Sequence, residues 1–139
     1  MLIWANLRGV RSHGVRRIAW YLALLDKGHM KPRSNIRVEK EMPAAFLSDA
    51  DFSPGPVVTL PAMNQAIQKA REVGMGWALI RNTLHHRAMG FYAPAAASEN
   101  MAGLAIVCNP PKMARTVHAG PEFTTAPLPS ACRGRSDAP

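Results

Sequence analysis

The sequence predicts an α/β or α+β domain, and two features of its apolar pattern carry that prediction. Apolar residues recur at three- and four-residue steps over 14–26 and again over 61–73, the helical period. Short apolar or alternating runs of strand length lie between and after those stretches, so helix and strand signals alternate along the chain.

In order, the first helix is expected over 14–26, where Val15, Ile18, Ala19, Leu22 and Leu25 line one face and Gly28 marks the stop. A loop follows at 29–35. Ile36 and Val38 alternate with Arg37 and Glu39 as in a strand, and 44–47 is a second strand ending at the acidic turn Ser48, Asp49, Ala50, Asp51. The stretch FSPGPVVTLP, 52–61, is dense in proline and glycine and is expected to be loop or extended chain. From Pro61 an amphipathic helix runs to about Val73, with Met63, Ala66, Ile67 and Ala70 on one face, and Gly74 ends it. Residues 77–81 form an apolar run, the pattern of a buried strand, followed by a polar loop, NTLHHRAMG, at 82–90. A short helix is expected over 91–99 despite Pro94, and GLAIVCN, 103–109, reads as another buried strand. After 111 periodicity is lost, which divides the chain into 1–111 and an irregular segment, 112–139.

At 139 residues with 47% hydrophobic content the chain can build one core. A formal charge of +8 favours anionic partners: nucleotide phosphates, carboxylate substrates or nucleic acid. Aromatics are only 6%, and neither a zinc-finger spacing nor an RNA-recognition motif occurs, so nucleic acid is not an expected partner. Cys108 and Cys132 form no CxxC unit; they are expected to be free, buried thiols, with no metal site. No apolar run reaches the roughly 18–20 residues of a membrane span, and the start MLIWANLRGV lacks the order of a signal peptide. A soluble intracellular protein without membrane contact is expected. No GxGxxG follows a predicted strand and no Walker A loop exists, so the doubly wound nucleotide-binding fingerprint is missing.

The densest chemistry lies in LRGVRSHGVRRIAWY, 7–21, where Ser12, His13, Arg17 and Tyr21 fall at i, i+1, i+5 and i+9. If the helix starts near Gly14, Arg17 and Tyr21 are one turn apart on one face and His13 stands at its mouth. Such a group can hold a carboxylate and move a proton. It also reads as a solvated basic helix start, with Trp20, Tyr21 and Leu24 as ordinary core contacts.

The order of several motifs decides between these readings. LRGVRSHGVRR, Tyr21, LDKG, the acidic turn, AMNQAIQKAREVGMGWALIRN, a histidine loop leading into GFYAPAAA, and GLAIVCNPP together resemble the malate/L-lactate dehydrogenase family over about 5–139. The resemblance implies helices around a mixed, largely antiparallel, non-Rossmann sheet and a cytoplasmic homodimer. It implies interconversion of a small 2-hydroxy acid and its 2-keto acid with NAD or NADP. His13 would then be the proton donor or acceptor, Ser12 its hydrogen-bonding neighbour, Arg17 the carboxylate clamp and Tyr21 a further substrate contact. In the second motif His85 would be the other catalytic histidine, and Asn82, Thr125 and Pro127 would lie on the cofactor side. Arg87 stands where the family has glycine, and a bulky side chain there is expected to obstruct close approach of the backbone to a cofactor. Family members are longer, which implies that this chain is an internal piece and an incomplete domain. The alternative is a catalytically inactive fragment acting at most as a binding or dimerising module.

The chemistry is coherent with that resemblance. Hydride addition to a keto group leaves an alkoxide that needs a proton, which imidazole supplies near neutral pH. A bidentate guanidinium fixes the adjoining carboxylate and so aligns the carbonyl. The hydride itself belongs to the cofactor.

Overall fold

The computed structural model describes residues 1–108 and the short strand Ser130–Ala131. The apolar start folds as helix α1, Leu2–Leu7, which buries Ala5 completely. Two tight 3-10 turns, Arg11–His13 and Val15–Arg17, then lead into α2, Ile18–Asp26, so the helix expected over 14–26 begins as a tighter coil.

Strands β1, Arg37–Met42, and β2, Ala45–Asp49, pair antiparallel around the two-residue turn at 43–44. Helix α3, Gly55–Val73, crosses to β3, Trp77–Arg81, which pairs parallel to β2 with Ala45 opposite Trp77 and Asp49 opposite Arg81. The sheet order is β1-β2-β3, with β2 in the middle. After a 3-10 turn at Met89–Phe91 come α4, Ala93–Ser98, and β4, Gly103–Leu104, paired antiparallel with β5, Ser130–Ala131. The three-stranded sheet has one antiparallel and one parallel pairing, and β4 and β5 form a separate two-stranded antiparallel sheet, so the expected mixed sheet with packed helices is present.

The expectation of loop over 52–61 is corrected: α3 begins at Gly55. Pro56 lies in the first turn, where a missing N–H costs nothing, whereas Pro61 lies inside the helix and removes a rung of the ladder. Burial outweighs that loss, because Val58, Thr59, Ala62, Ala66 and Ile67 all turn inward along the same helix. The central core packs Ala62 and Ala66 on Phe46, which is 1% exposed, with Ala78 and Ile80 of β3 beside them. A second cluster joins Met89, Tyr92 and Ala105 to Met1, Leu60 and Met63.

Two further expectations need correction. Strand β3 is not buried on both faces: Ala78 and Ile80 meet α3, but Trp77 and Leu79 on the opposite face are 43% and 49% exposed. Among the described residues of the run, 103–108, only Gly103–Leu104 is strand, and Leu104 and Ile106 are exposed. Cys108 is a free thiol but an exposed one, and Cys132 lies outside the described residues. Among the described residues no helix is long and apolar enough to cross a membrane.

Asp49 ties the acidic turn to the sheet. Its carboxylate accepts the Asp51 backbone N–H at 2.9 Å and the Asn82 side-chain amide at 3.2 Å, with the Arg37 and Arg81 guanidinium groups at 3.4 and 3.5 Å. The backbone N–H contributes most to holding its acidity below the ordinary aspartate value, aided by Asn82, Arg81 and Arg37 against the opposing effect of burial. The stability that Asp49 supplies is therefore complete above the ordinary aspartate range and is lost as pH falls through the depressed value. Asp49→Asn should lower stability at pH 7 and flatten the acid limb of a circular-dichroism unfolding titration, so that variant and parent converge at low pH.

Candidate active site

The turn geometry at the start of α2 brings Ser12, His13 and Arg17 together. The Arg17 Nε–H donates to the Ser12 carbonyl at 2.7 Å, and Ser12 Oγ lies 2.9 Å from His13 Nδ1. One turn on, Tyr21 is the single buried residue of α2. Its hydroxyl lies 2.9 Å from Nδ1 of His85, a residue 64 positions later in the loop after β3. The two imidazoles meet face to face, with centroids 5.5 Å apart and planes at 19°, and Trp20 meets His85 edge-on at 5.5 Å. Ser12, His13, Arg17, Tyr21 and His85 thus form one cluster built from two distant segments.

The hydrogen bonds assign the His85 tautomer. The Arg87 backbone N–H, which can only donate, reaches His85 Nδ1 at 3.2 Å, so that nitrogen is an acceptor and the Tyr21 hydroxyl also donates to it. Neutral His85 therefore carries its proton on Nε2. The turn that delivers this amide places Arg87 at φ +67, a left-handed conformation that costs a residue with a side chain of order 1–3 kcal/mol. The Arg87 guanidinium folds back over the Tyr21 ring, 4.5 Å from its centroid, and its Nε is buried with no hydrogen-bond partner.

Electrostatics divide the groups. Burial, then the Arg17 charge, lowers the His13 pKa below the ordinary imidazole value, so His13 is neutral at pH 7. Burial raises the Tyr21 pKa, with Arg87 and then Arg17 opposing it, so the phenol keeps its proton. Arg17 forms no ion pair among the described residues, and no three metal-ligating side chains converge there.

A supporting network that the sequence did not reveal anchors the histidine loop. Thr59 donates its hydroxyl to the Gly55 carbonyl at 2.7 Å, leaving Oγ1 to accept the His86 Nδ1–H at 2.7 Å. Tyr92 is fully buried and donates to the His86 carbonyl at 2.7 Å. Tyr92→Phe leaves that carbonyl unsatisfied and should cost about 1–3 kcal/mol, read as a lower urea midpoint with an unchanged slope.

Asn82 lies outside the imidazole cluster: it has φ +50, and its amide is engaged by Asp49 at 3.2 Å. Thr125 and Pro127 lie outside the described residues. Two open grooves, of about 150 Å³ between β1 and α3 and about 270 Å³ between α3 and α4, share no lining residue with the imidazole cluster.

The family model for malate/L-lactate dehydrogenase matches residues 1–139. The chain belongs to that family. Among curated relatives it is 38% identical over 110 residues to an L-sulfolactate dehydrogenase of Methanocaldococcus jannaschii, covering 79% of this chain and 32% of the relative. It is 39% identical over 115 residues to a malate dehydrogenase of Pyrococcus abyssi, covering 83% and 32%. An Escherichia coli ureidoglycolate dehydrogenase (NAD(+)) is 27% identical over 137 residues, covering 99% and 39%. The solved malate dehydrogenase of Pyrococcus horikoshii superposes with a TM-score of 0.90 at 36% identity, covering 96% of this chain and 38% of the other. The chain thus spans about a third of the length of the curated relatives it matches. Within this family framework the histidine-loop position that carries Arg87 has the left-handed backbone that favours glycine.

Proposed function

We propose that this chain forms the substrate side of an NAD- or NADP-dependent dehydrogenase that interconverts a small 2-hydroxy acid and its 2-keto acid. The observation that carries the reading is the convergence of His13 and His85, 5.5 Å apart, beside the Tyr21 hydroxyl and an Arg17 with no acidic partner among the described residues. Membership of a dehydrogenase family supports it.

Arg17 binds the substrate carboxylate through its terminal amino groups while Nε stays on the Ser12 carbonyl. With Ser12 Oγ accepting from His13 Nδ1–H, His13 Nε2 keeps its lone pair and removes the proton of the substrate hydroxyl. As the C–H bonding pair departs and the carbonyl forms, the Nε2–H of His85 donates to the carbonyl oxygen, its ring held by Tyr21 and the Arg87 amide. In the reverse direction protonated His13 returns its proton to the alkoxide oxygen. The imidazole, phenol and guanidinium donors suit the proton half of such a reaction, and a bound nicotinamide supplies hydride transfer. Asn82, Thr125 and Pro127 are the positions that we assign to the cofactor side, in a cytoplasmic homodimer.

The test is NADH or NADPH oxidation by the purified protein with a panel of 2-keto acids, read together with the cofactor-dependent shift in melting temperature. Turnover supports the assignment. Absence of both turnover and a thermal shift would leave an inactive binding or dimerising module as the better description.

A further inference from the structure

We propose that His86 is a positioning residue for His85 and a proton-sensitive latch: neutral, it holds the histidine loop on α3, and protonated, it lets the loop go. The latch is independent of the dehydrogenase reading above; only its effect on turnover rests on that reading.

The two adjacent imidazoles serve different helices. His85 meets Tyr21 and Trp20 of α2, whereas His86 meets Thr59 of α3, so the loop bridges the two. Backbone ties flank His85 on both sides. The Leu84 N–H donates to the Ser53 carbonyl at 3.2 Å, the Tyr92 hydroxyl donates to the His86 carbonyl at 2.7 Å, and Gly55 lies against residues 84–86 main chain to main chain. The remaining tie runs through the His86 imidazole, the one group among them that can change its charge between about pH 5 and 8.

Thr59 gives its own proton to the Gly55 carbonyl, so Oγ1 accepts from His86 Nδ1–H at 2.7 Å and the lone pair of neutral His86 lies on Nε2. A further proton therefore arrives at Nε2 and creates an imidazolium within the packing of α3 and Tyr92. His86 forms no ion pair among the described residues. The ionisable groups of the surrounding elements are His85 and Arg87 on its own loop, Tyr92 at the start of α4 and Tyr21 of α2. Burial keeps both phenols protonated and Arg87 is a cation, so none of these groups offers a negative charge at neutral pH. From α3 come the Thr59 hydroxyl and the Gly55 backbone, neither charged. Burial accordingly lowers the His86 pKa below the ordinary imidazole value. The stability that the latch supplies is complete above that ordinary value, about 6.5, and is lost as pH falls through the depressed one. Release of the loop returns the imidazolium to water and withdraws His85 from Tyr21.

Amide hydrogen exchange of the whole protein between about pH 5 and 8, corrected for intrinsic rates, reads the latch at the Leu84 N–H and the general fold at the amides of the central strand β2. His86→Asn keeps an N–H near the Nδ1 position but does not titrate; Thr59→Ser keeps the acceptor and Thr59→Val removes it. In the parent the Leu84 protection factor is expected to fall about tenfold on acidification while β2 holds constant. His86→Asn should show no such fall, Thr59→Val should be poorly protected at every pH, and Thr59→Ser should match the parent. Constant Leu84 protection in the parent, the same fall in His86→Asn, a parallel fall in β2, or full protection in Thr59→Val overturns the proposal. The acid limb of hydroxy-acid oxidation should also be steeper in the parent than in His86→Asn, because His13 and His86 must both be neutral there. Equal limbs overturn the positioning role, whereas absent turnover with the exchange pattern as expected overturns the dehydrogenase reading alone.

Discussion

Adding one methyl group at Gly55 is expected to destabilise the fold by about 1–3 kcal/mol or more and to reduce turnover about 100-fold in the protein that remains folded. A Cβ built there falls 2.6 Å from the Cα of His86 and 2.8 Å from the carbonyl oxygens of His85 and Leu84. All three atoms are backbone, so no side chain can rotate aside. The first residue of α3 and the histidine loop are in contact main chain to main chain, and the loop must move if a methyl is inserted. It carries His85 with it. The imidazole then leaves the Tyr21 hydroxyl and the Arg87 amide that fix its ring. Gly76→Ala is the control for a clash elsewhere: its Cβ would lie 1.8 Å from the Ala66 carbonyl oxygen, a closer approach than at Gly55 and one directed at α3 beside β3 instead of at the histidine loop. Chemical unfolding of both variants, with turnover measured on the folded fraction, should show a stability loss in each, at least as large in Gly76→Ala. Only Gly55→Ala should lose much more activity than its unfolded fraction explains.

Replacing His13 by glutamine should lower kcat for the 2-hydroxy acid about 100- to 10,000-fold, the range that one positioned general base supplies. His85→Gln should fall by a similar factor. The double variant should lose far less than the product of the two, because the residues act as one unit. Burial and the Arg17 charge hold the pKa of His13 below the usual imidazole value. The rate of hydroxy-acid oxidation should therefore rise with pH through a midpoint below about 6.5 and level off above it, and keto-acid reduction should show the opposite limb. Arg17→Gln removes one of the two influences that depress His13 and should move the midpoint upward. Steady-state rates between pH 5 and 8 read both effects.

Much of this architecture is legible from residue order. The amphipathic period of 61–73, the alternation at 36–39 and the apolar run at 77–81 all identify elements that exist; the period of 61–73 matches the face that meets the core, whereas every residue of β1 is exposed and β3 is buried on one face only. The early start of α3 is not legible, since Pro56 and Pro61 signal loop locally while the burial that overrides them comes from Phe46 and the histidine loop. The cluster of Ser12, His13, Arg17 and Tyr21 is visible as a spacing. Its union with His85 is not, because a separation of 64 residues between hydrogen-bonded partners leaves no periodic trace and only the family resemblance joins them. Arg87 is visible as a departure from a glycine position, and the structure adds what sequence does not show, that its guanidinium lies over the Tyr21 ring with Nε buried and unpartnered. The Thr59, His86 and Tyr92 network has no signature in sequence at all, since each member comes from a different element and each is an unremarkable residue where it stands.

The central claim is that His13 and His85 form a single substrate-binding proton-transfer site, and imidazole nitrogen NMR during titration with L-malate tests it most directly. The account predicts that the ring-nitrogen signals of both histidines move along one saturation curve, that His85 shows the Nε2–H tautomer before L-malate is added, and that Arg17→Gln abolishes both responses. Movement of neither signal, of only one, or of both unchanged in Arg17→Gln would contradict it.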